Sequence, residues 1–303
     1  MTKKALITGI NGQDGAYLTL LLQSKNYDVV GIMRKKTHME GHEYLHCGPC
    51  DLHYGDVSEP DFVSSVIAKT RPDEIYNLAA QSHVGNSFKS PLTTMQVNYG
   101  GLVNIINAVK TYCPSTRIYQ AGTSEMFGDS GAKMQNEETP FLPKSPYAIA
   151  KVAAHYAGIN ARKEGIFVSN GILFNHESPI RGEDFVTRKI TLAKARGETP
   201  CLGNVQSRRD WGFAGDYVEG MWRMLQHDKP DDFVLATGET YSILDFLSAA
   251  QSYYTTNASN LRPNDLGYLC GDYSKAKAVL GWEPKVRFKQ LVKMMVEEDL
   301  RRA

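Results

Sequence analysis

Short apolar runs alternate with amphipathic stretches through the first half of the chain. Ala5-Leu6-Ile7 has the length of a buried strand, and Gly9, Gly12 and Gly15 interrupt it. Tyr17, Leu18, Leu20, Leu21 and Leu22 then give one apolar helix face ending near Lys25-Asn26. Residues 28–33 predict a second strand, and residues 74–78 another after the Pro72-Asp73 turn. Residues 98–109 predict a helix, 117–121 a strand, 147–164 a long helix and 168–174 a strand. Strands alternating with helices predict an α/β fold, a Rossmann-type doubly wound parallel sheet.

The rhythm changes near residue 174, where Pro and Gly become frequent and segments shorten. This divides the chain into a dinucleotide-binding domain over residues 1–174 and a smaller α/β substrate-binding domain over 175–303. Residues 210–240 are expected to return to the first. Residues 255–260 (TTNASN) read as a polar loop, and no repeat or low-complexity tract stands out.

Composition narrows the function classes. The chain has 303 residues, 42% of them hydrophobic and 22% charged, with a net charge of +1. That balance argues against nucleic acid as the main partner. A locally basic pocket for an anionic small molecule is still allowed. No apolar run approaches the roughly 18 residues of a membrane span, and Thr8-Gly9 ends the first apolar stretch too early for a signal peptide. No membrane partner and a cytoplasmic location are expected. Five cysteines (Cys47, Cys50, Cys113, Cys201, Cys270) suit a reduced interior better than a disulfide framework.

The candidate chemistry begins at the first strand-to-helix turn. Gly9, Asn11, Gly12, Gln13, Asp14 and Gly15 form a G-x-x-G-x-x-G loop, where backbone approaches a pyrophosphate and a helix N-terminus faces it. The ordinary alternative is a glycine turn with no ligand. A carboxylate ending the second strand would mark NAD; here stand Arg34-Lys35-Lys36, which suit a 2′-phosphate and favour NADP. Asp56 and Val57 follow the third strand and suit an adenine edge. Leu78, Ala79, Ala80 and Ser82 end the fourth, with small residues where a cofactor lies close.

Tyr147 and Lys151 are four residues apart, on one helix face. A neighbouring ammonium and an oxidised nicotinamide both favour the phenolate. Bringing a tyrosine from about 10 to about 7 takes roughly 4 kcal/mol. Thr123 and Glu125 follow a sheet strand, where open α/β sheets place ligands. A hydroxyl there can share a hydrogen bond with the substrate alcohol. Plain dehydrogenation needs no second base, but removing a proton beside a new ketone does. The bland reading of Glu125 is an acid at a helix N-terminus.

Seven segments resemble the GDP-mannose 4,6-dehydratase family of extended short-chain dehydrogenases: GINGQDGAYL (9–18), YNLAAQSHV (76–84), QAGTSEMFG (120–128), SPYAIAK (145–151), NGILFNHESP (170–179), FVTRKI (185–190) and RRDWGFAGDYV (208–218). The resemblance implies a lyase that uses NADP and turns GDP-mannose into its 4-keto-6-deoxy product. Tyr147 takes the C4 hydroxyl proton while Thr123 shares that hydrogen bond. Glu125 removes the C5 proton and assists loss of the C6 hydroxyl. The hydride taken from C4 returns to C6 through NADP, and Lys151 holds the cofactor ribose. In related dTDP-glucose dehydratases an Asp-Glu pair follows the Thr; here Ser124 fills the Asp position. The resemblance also implies that Ser82, Asn175, Lys189, Arg209, Arg262 and Asp265 meet the substrate. His176 and Arg181 are implied at the nicotinamide end. The Arg34 loop matches one that crosses a subunit interface, which implies a homodimer or homotetramer.

Three departures stand out. The 37–53 loop and the segment between Tyr241-Ser242 and Leu261 are shorter than the family pattern, and Asp265 stands where a guanine-facing Glu is expected. Competing readings are an NADP-dependent nucleotide-sugar 4-reductase or 4-epimerase, which need no base at Glu125, and a catalytically idle NADP-binding regulatory protein. No metal is expected. Cys47-Gly48-Pro49-Cys50 among His38, His42, His46 and His53 reads first as a bland loop, then as a zinc or redox motif. Trp211 and Trp222 are expected in the core, and Glu137-Glu138 as a solvated pair.

Overall fold

The computed structural model describes residues 2–34, 50–260 and 265–303. Apolar β1 (Lys4–Thr8) leads through the glycine turn to α1 (Gln13–Ser24), then β2 (Asp28–Met33) and β3 (Asp51–Tyr54). Next come α2 (Pro60–Thr70), β4 (Glu74–Asn77), α3 (Val84–Lys89) and α4 (Pro91–Met95). A π-helical turn over Gln96–Gly100 joins α4 to α5 (Gly101–Tyr112), so one helical run replaces the shorter helix expected from residue 98. The expected helix already ran through Gly100-Gly101; what it missed is the stretch before residue 98, where the run widens into the π turn. Asn98 compensates by hydrogen-bonding both backbone groups of Gln81: its Oδ1 accepts from Gln81 N at 2.8 Å and its Nδ2 donates to Gln81 O at 3.1 Å. π turns inside helices commonly re-aim such side chains.

β5 (Arg117–Ala121), α6 (Pro146–Lys163) and β6 (Val168–Leu173) follow the expected bounds closely. Then come β7 (Asn175–Glu177), α7 (Val186–Arg196), β8 (Cys201–Leu202), β9 (Arg208–Arg209), β10 (Trp211–Phe213), α8 (Ala214–Gln226) and β11 (Asp232–Leu235). The rest is β12 (Tyr241–Ser242), α9 (Ile243–Ala250), β13 (Thr255–Thr256), α10 (Ser274–Leu280) and α11 (Phe288–Arg302). Among the described residues a 7-stranded sheet runs β11-β6-β5-β4-β1-β2-β3, and every neighbouring pair is parallel. The strand order reverses beside β1, the place where such sheets open a crevice.

One sheet face packs on α1 and α8 through Leu18, Leu22, Val218, Met221 and Leu225; the other packs on α2, α5 and α6 through Val63, Ile67, Ile105, Val109 and Ala154. A separate apolar cluster of Trp211, Phe246, Phe288, Leu291 and Met295 holds α9 and α11 against the β10 region. Trp211 and partly buried Trp222 both pack into apolar clusters. Two local expectations fail. Residues 255–260 are not a plain loop: β13 pairs with β8, and a 3₁₀ turn follows over Ala258–Asn260. Glu137 is not a solvated acid. Its Oε1 accepts from Val234 N at 2.7 Å, covering the exposed edge of β11, and burial raises its pKa above the usual carboxylate value. Edge N–H groups need such a partner.

Candidate active site

Two adjoining clefts of about 410 and 400 Å³ open at the carboxyl ends of the strands. The glycine loop fits a dinucleotide. Gly9 has φ +69, and a Cβ there would stand 3.0 Å from the Ala79 backbone; at Gly15 a Cβ would meet Ile10 O at 2.5 Å. The turn therefore closes only with glycine at both places. The N-cap of α1 is Gly12, which offers no side-chain cap, so the N–H groups of the first turn are left for a ligand. Gly9, Asn11, Gly12, Gln13, Asp14, Gly15, Arg34, Asp56, Val57 and Leu78 to Ser82 all line this cleft. Asp56 also holds its own turn, Oδ1 accepting from Ser58 N at 2.9 Å and Ser58 Oγ at 2.8 Å.

The neighbouring cleft gathers Thr123, Glu125, Tyr147, Lys151, Asn175, His176, Lys189, Arg209 and Asp265. Asp14, Leu78, Ala80, Ser82 and Arg181 line both clefts and mark where they join. Arg262 lies outside the described residues, as do Lys35, Lys36 and Cys47. Cys50 is half-buried and accepts from Gln23 Nε2 at 3.4 Å.

Lys151 is set by a chain of buried polar groups across the strand ends. Thr8 Oγ1 donates to Asn77 Oδ1 at 2.8 Å, Asn77 Nδ2 to Gln120 Oε1 at 2.6 Å, and Gln120 Nε2 to Ala121 O at 2.9 Å. Lys151 Nζ donates to that same carbonyl at 2.8 Å. Burial pushes its pKa down to about 8. Tyr147 lies one turn earlier on α6 and hydrogen-bonds Thr123. Burial pushes its phenol up to about 12; the Thr123 bond draws it down, and the Glu125 charge pushes it up. Lys151 Nζ stands 5.9 Å from the Tyr147 ring centroid and spends a bond on Ala121. Within the protein's own groups desolvation thus outweighs the Thr123 bond; the lowered phenol expected from the sequence counts the nicotinamide's charge beside the ammonium's.

Other candidates are tied to the scaffold. Arg209 donates to Leu266 O at 2.7 Å and Arg208 O at 3.0 Å and pairs with Asp265 at 3.4 Å, while Asp265 also accepts from Ser207 Oγ at 2.8 Å. Arg181 pairs with Glu177 at 3.0 Å and lies 3.5 Å over the Phe185 ring. His176 is bonded to Asp14 at 2.8 Å. Sequence reasoning missed His83 and Phe185, which line the same cleft, and the positioning roles of Thr8, Asn77, Asn98 and Gln120. YNLAAQSHV, QAGTSEMFG and FVTRKI, as segments, pointed near His83, Asn77, Gln120 and Phe185.

A family model described as GDP-mannose 4,6 dehydratase matches residues 6–295. The chain belongs to this family. It is 47% identical to GDP-mannose 4,6 dehydratase 1 of Arabidopsis thaliana over 98% of this chain and 90% of that one. It is 41% identical to the human GDP-mannose 4,6 dehydratase over 98% and 91%, and 41% identical to the Vibrio cholerae enzyme over 100% and 95%. The first of these alignments spans 325 residues against a chain of 303, so that relative carries stretches this chain lacks. Membership makes the chain a lyase, a dehydratase built on the Rossmann-type fold. Solved structures agree on the fold: UDP-glucose 4-epimerases of Thermus thermophilus and Thermotoga maritima superpose with TM-scores of 0.87 and 0.88, each at 22% identity. The first covers 98% of both chains, the second 99% of both. Among the described residues no His/Cys/Asp/Glu cluster could hold a metal, and no helix is long and apolar enough to cross a membrane.

Proposed function

We propose that the two clefts convert GDP-mannose to GDP-4-keto-6-deoxy-mannose with NADP. The observation that carries this reading is a carboxylate, Glu125, lining the same cleft as the Thr123–Tyr147 hydrogen bond and Lys151. Bound in the glycine-loop cleft, NADP supplies the acceptor and later the donor of a hydride. Tyr147 accepts the C4 hydroxyl proton, and Thr123 holds that hydroxyl in line. The new C4 ketone acidifies the C5 proton, which Glu125 removes. Glu125 then returns it to the departing C6 hydroxyl, so water leaves; with the hydride back at C6, the proton Tyr147 took from the C4 hydroxyl is the one that completes C5. Tyr147 is a poor base at about 12; the Lys151 ammonium and the positive nicotinamide supply the charge that brings it into range. Asn175, Lys189, Arg209 and Asp265 line the reach that the sugar diphosphate and base would occupy. Arg34 beside the β2 end favours NADP over NAD, because a guanidinium suits a 2′-phosphate.

Incubation with GDP-mannose and catalytic NADP, followed by mass analysis, tests the assignment: product lighter by one water is expected. In Glu125→Gln, C4 oxidation and nicotinamide reduction persist while water loss falls by about 10²–10⁴-fold. Full dehydration by that variant would overturn Glu125 as the base, whereas a wild type that exchanges hydride with the nucleotide sugar but loses no water would favour the 4-reductase or 4-epimerase reading. Arg34→Ala should move the NADP:NAD affinity ratio toward NAD by about tenfold; an unchanged ratio sinks the NADP preference.

The chain works as a homodimer or larger assembly in this reading. Leu92 (78% exposed), Ile149 (47%) and Tyr156 (53%) present apolar surface on α4 and α6, which pack together. A second copy covering them explains the exposure.

A further inference from the structure

His176 makes two hydrogen bonds with its ring. Nδ1 lies 2.8 Å from Phe174 O, and Nε2 lies 2.8 Å from Asp14 Oδ2. A carbonyl only accepts, so Nδ1 carries a proton. An ionised carboxylate only accepts, so Nε2 carries one too. Asp14 is held as an acceptor from its other side as well: Gln13 Nε2 donates to Oδ1 at 3.0 Å. Its place in the first turn of α1 favours the anion. The side chains are 11% and 22% exposed, so water screens the pair little.

We propose that His176 and Asp14 form an imidazolium–carboxylate pair that holds and neutralises the floor of the dinucleotide cleft, so that dinucleotide affinity follows the protonation of His176. The inference rests on the dinucleotide reading above. It gives the His176 side chain a positioning role beside the nicotinamide-end contact that the family resemblance implies. Asp14 places a negative charge in the very turn whose N–H groups are to receive phosphates. Alone, that charge would repel the ligand the turn is shaped for. His176 cancels it from β7. The same two segments are latched again by Ser178 Oγ donating to Gln13 Oε1 at 2.8 Å, and by Gln13 Nε2 donating to His176 O at 3.1 Å. The GINGQDG loop and the NHESP strand are therefore one electrostatic unit.

Other elements face the pair. Tyr217 of α8 stacks on the imidazole at 4.5 Å. Arg181, after β7, opposes the imidazolium; Lys151 of α6 and Tyr119 of β5 feel the Asp14 charge. Burial is the largest influence and works against the imidazolium, but Asp14 and the Phe174 carbonyl together outweigh it and hold the ring above the ordinary histidine value. When His176 finally loses its proton, Asp14 is left unpaired beneath the phosphate site, and affinity falls.

The test is NADP binding to the full chain by calorimetry, from about pH 7, above the last proton of the 2′-phosphate, to about pH 10. Wild type, His176→Asn and Asp14→Asn/His176→Asn are compared, each checked for folding by circular dichroism. Lys151 also titrates in this window and contributes to every slope, so the difference between slopes is the reading. His176→Asn should bind about tenfold more weakly near pH 7 and lack about tenfold of the wild-type decline. The double variant, which leaves no unpaired charge, should recover most of the affinity and keeps the test usable should His176→Asn fold poorly. Equal slopes for wild type and both variants, or a double variant no better than His176→Asn, overturn the pair's role. A folded wild type that binds neither NADP nor NAD at any pH overturns the cofactor reading, and this inference with it.

Discussion

Lys151 carries a charge into a place water barely reaches, at 4% exposure and donating to the Ala121 carbonyl. The folded protein releases this proton near pH 8, whereas an ordinary lysine keeps it to 10.5. Stability therefore rises with pH between those two values, and below them the buried ammonium costs on the order of 3 kcal/mol. Lys151→Met should raise Tm near neutral pH and flatten the alkaline rise in stability, while removing dehydratase activity. A variant that is less stable across the whole range would contradict this account. The four-residue spacing of Tyr147 and Lys151 was legible from sequence because a helix repeats on that spacing. The high phenol pKa was not, because it comes from packing around α6.

Gly9 and Gly15 show how one element depends on another's backbone. The first meets Ala79 after β4, and the second meets the loop that precedes its own helix. Gly15→Ala should cost about 1–3 kcal/mol by overpacking and abolish NADP binding, read by chemical denaturation and calorimetry. A variant of normal stability and affinity would mean the turn is looser than its geometry. The π turn matters in the same way. Asn98→Ala leaves both Gln81 backbone groups without their partner, at about 1–3 kcal/mol, and should loosen the strand-end residues that line the dinucleotide cleft. Hydrogen exchange at Gln81 reads this directly; unchanged protection would count against it. The glycine spacing was visible in the chain because a turn uses local residues. Asn98 was hidden because its partner is 17 positions away.

The layers of the molecule are joined by buried charge as well as apolar area. Arg188 on α7 pairs with Asp299 on α11 at 2.8 Å and also donates to Arg181 O at 2.8 Å; Thr191 Oγ1 adds a bond to Asp299 at 2.6 Å. The last helix thereby holds the backbone of a residue that lines both clefts. Asp299→Ala leaves Arg188 without its carboxylate and should cost about 3–5 kcal/mol. It should also weaken binding in both clefts; a small loss measured by urea unfolding would refute the link. At the same scale, Tyr156→Lys should shift the assembly toward monomer in light scattering. A wild type that is already monomeric would remove the proposed partner from that face.

By itself the sequence determined what depends on neighbours along the chain. This covers the strand–glycine turn–helix unit, the Tyr147/Lys151 face, the Thr123–Glu125 step at a strand end, and the motif stretches that mark the family. Tertiary structure decided what depends on distant segments meeting. It brought β11 beside β6, turned Glu137 into the cover of that edge, and passed hydrogen bonds from Thr8 through Asn77 and Gln120 to the carbonyl that holds Lys151. It also set His176 against Asp14 across 162 positions. Hydrophobic periodicity is local and can be read in order. A buried charge is stable only beside its partner, and which partner it meets is settled when the chain has folded.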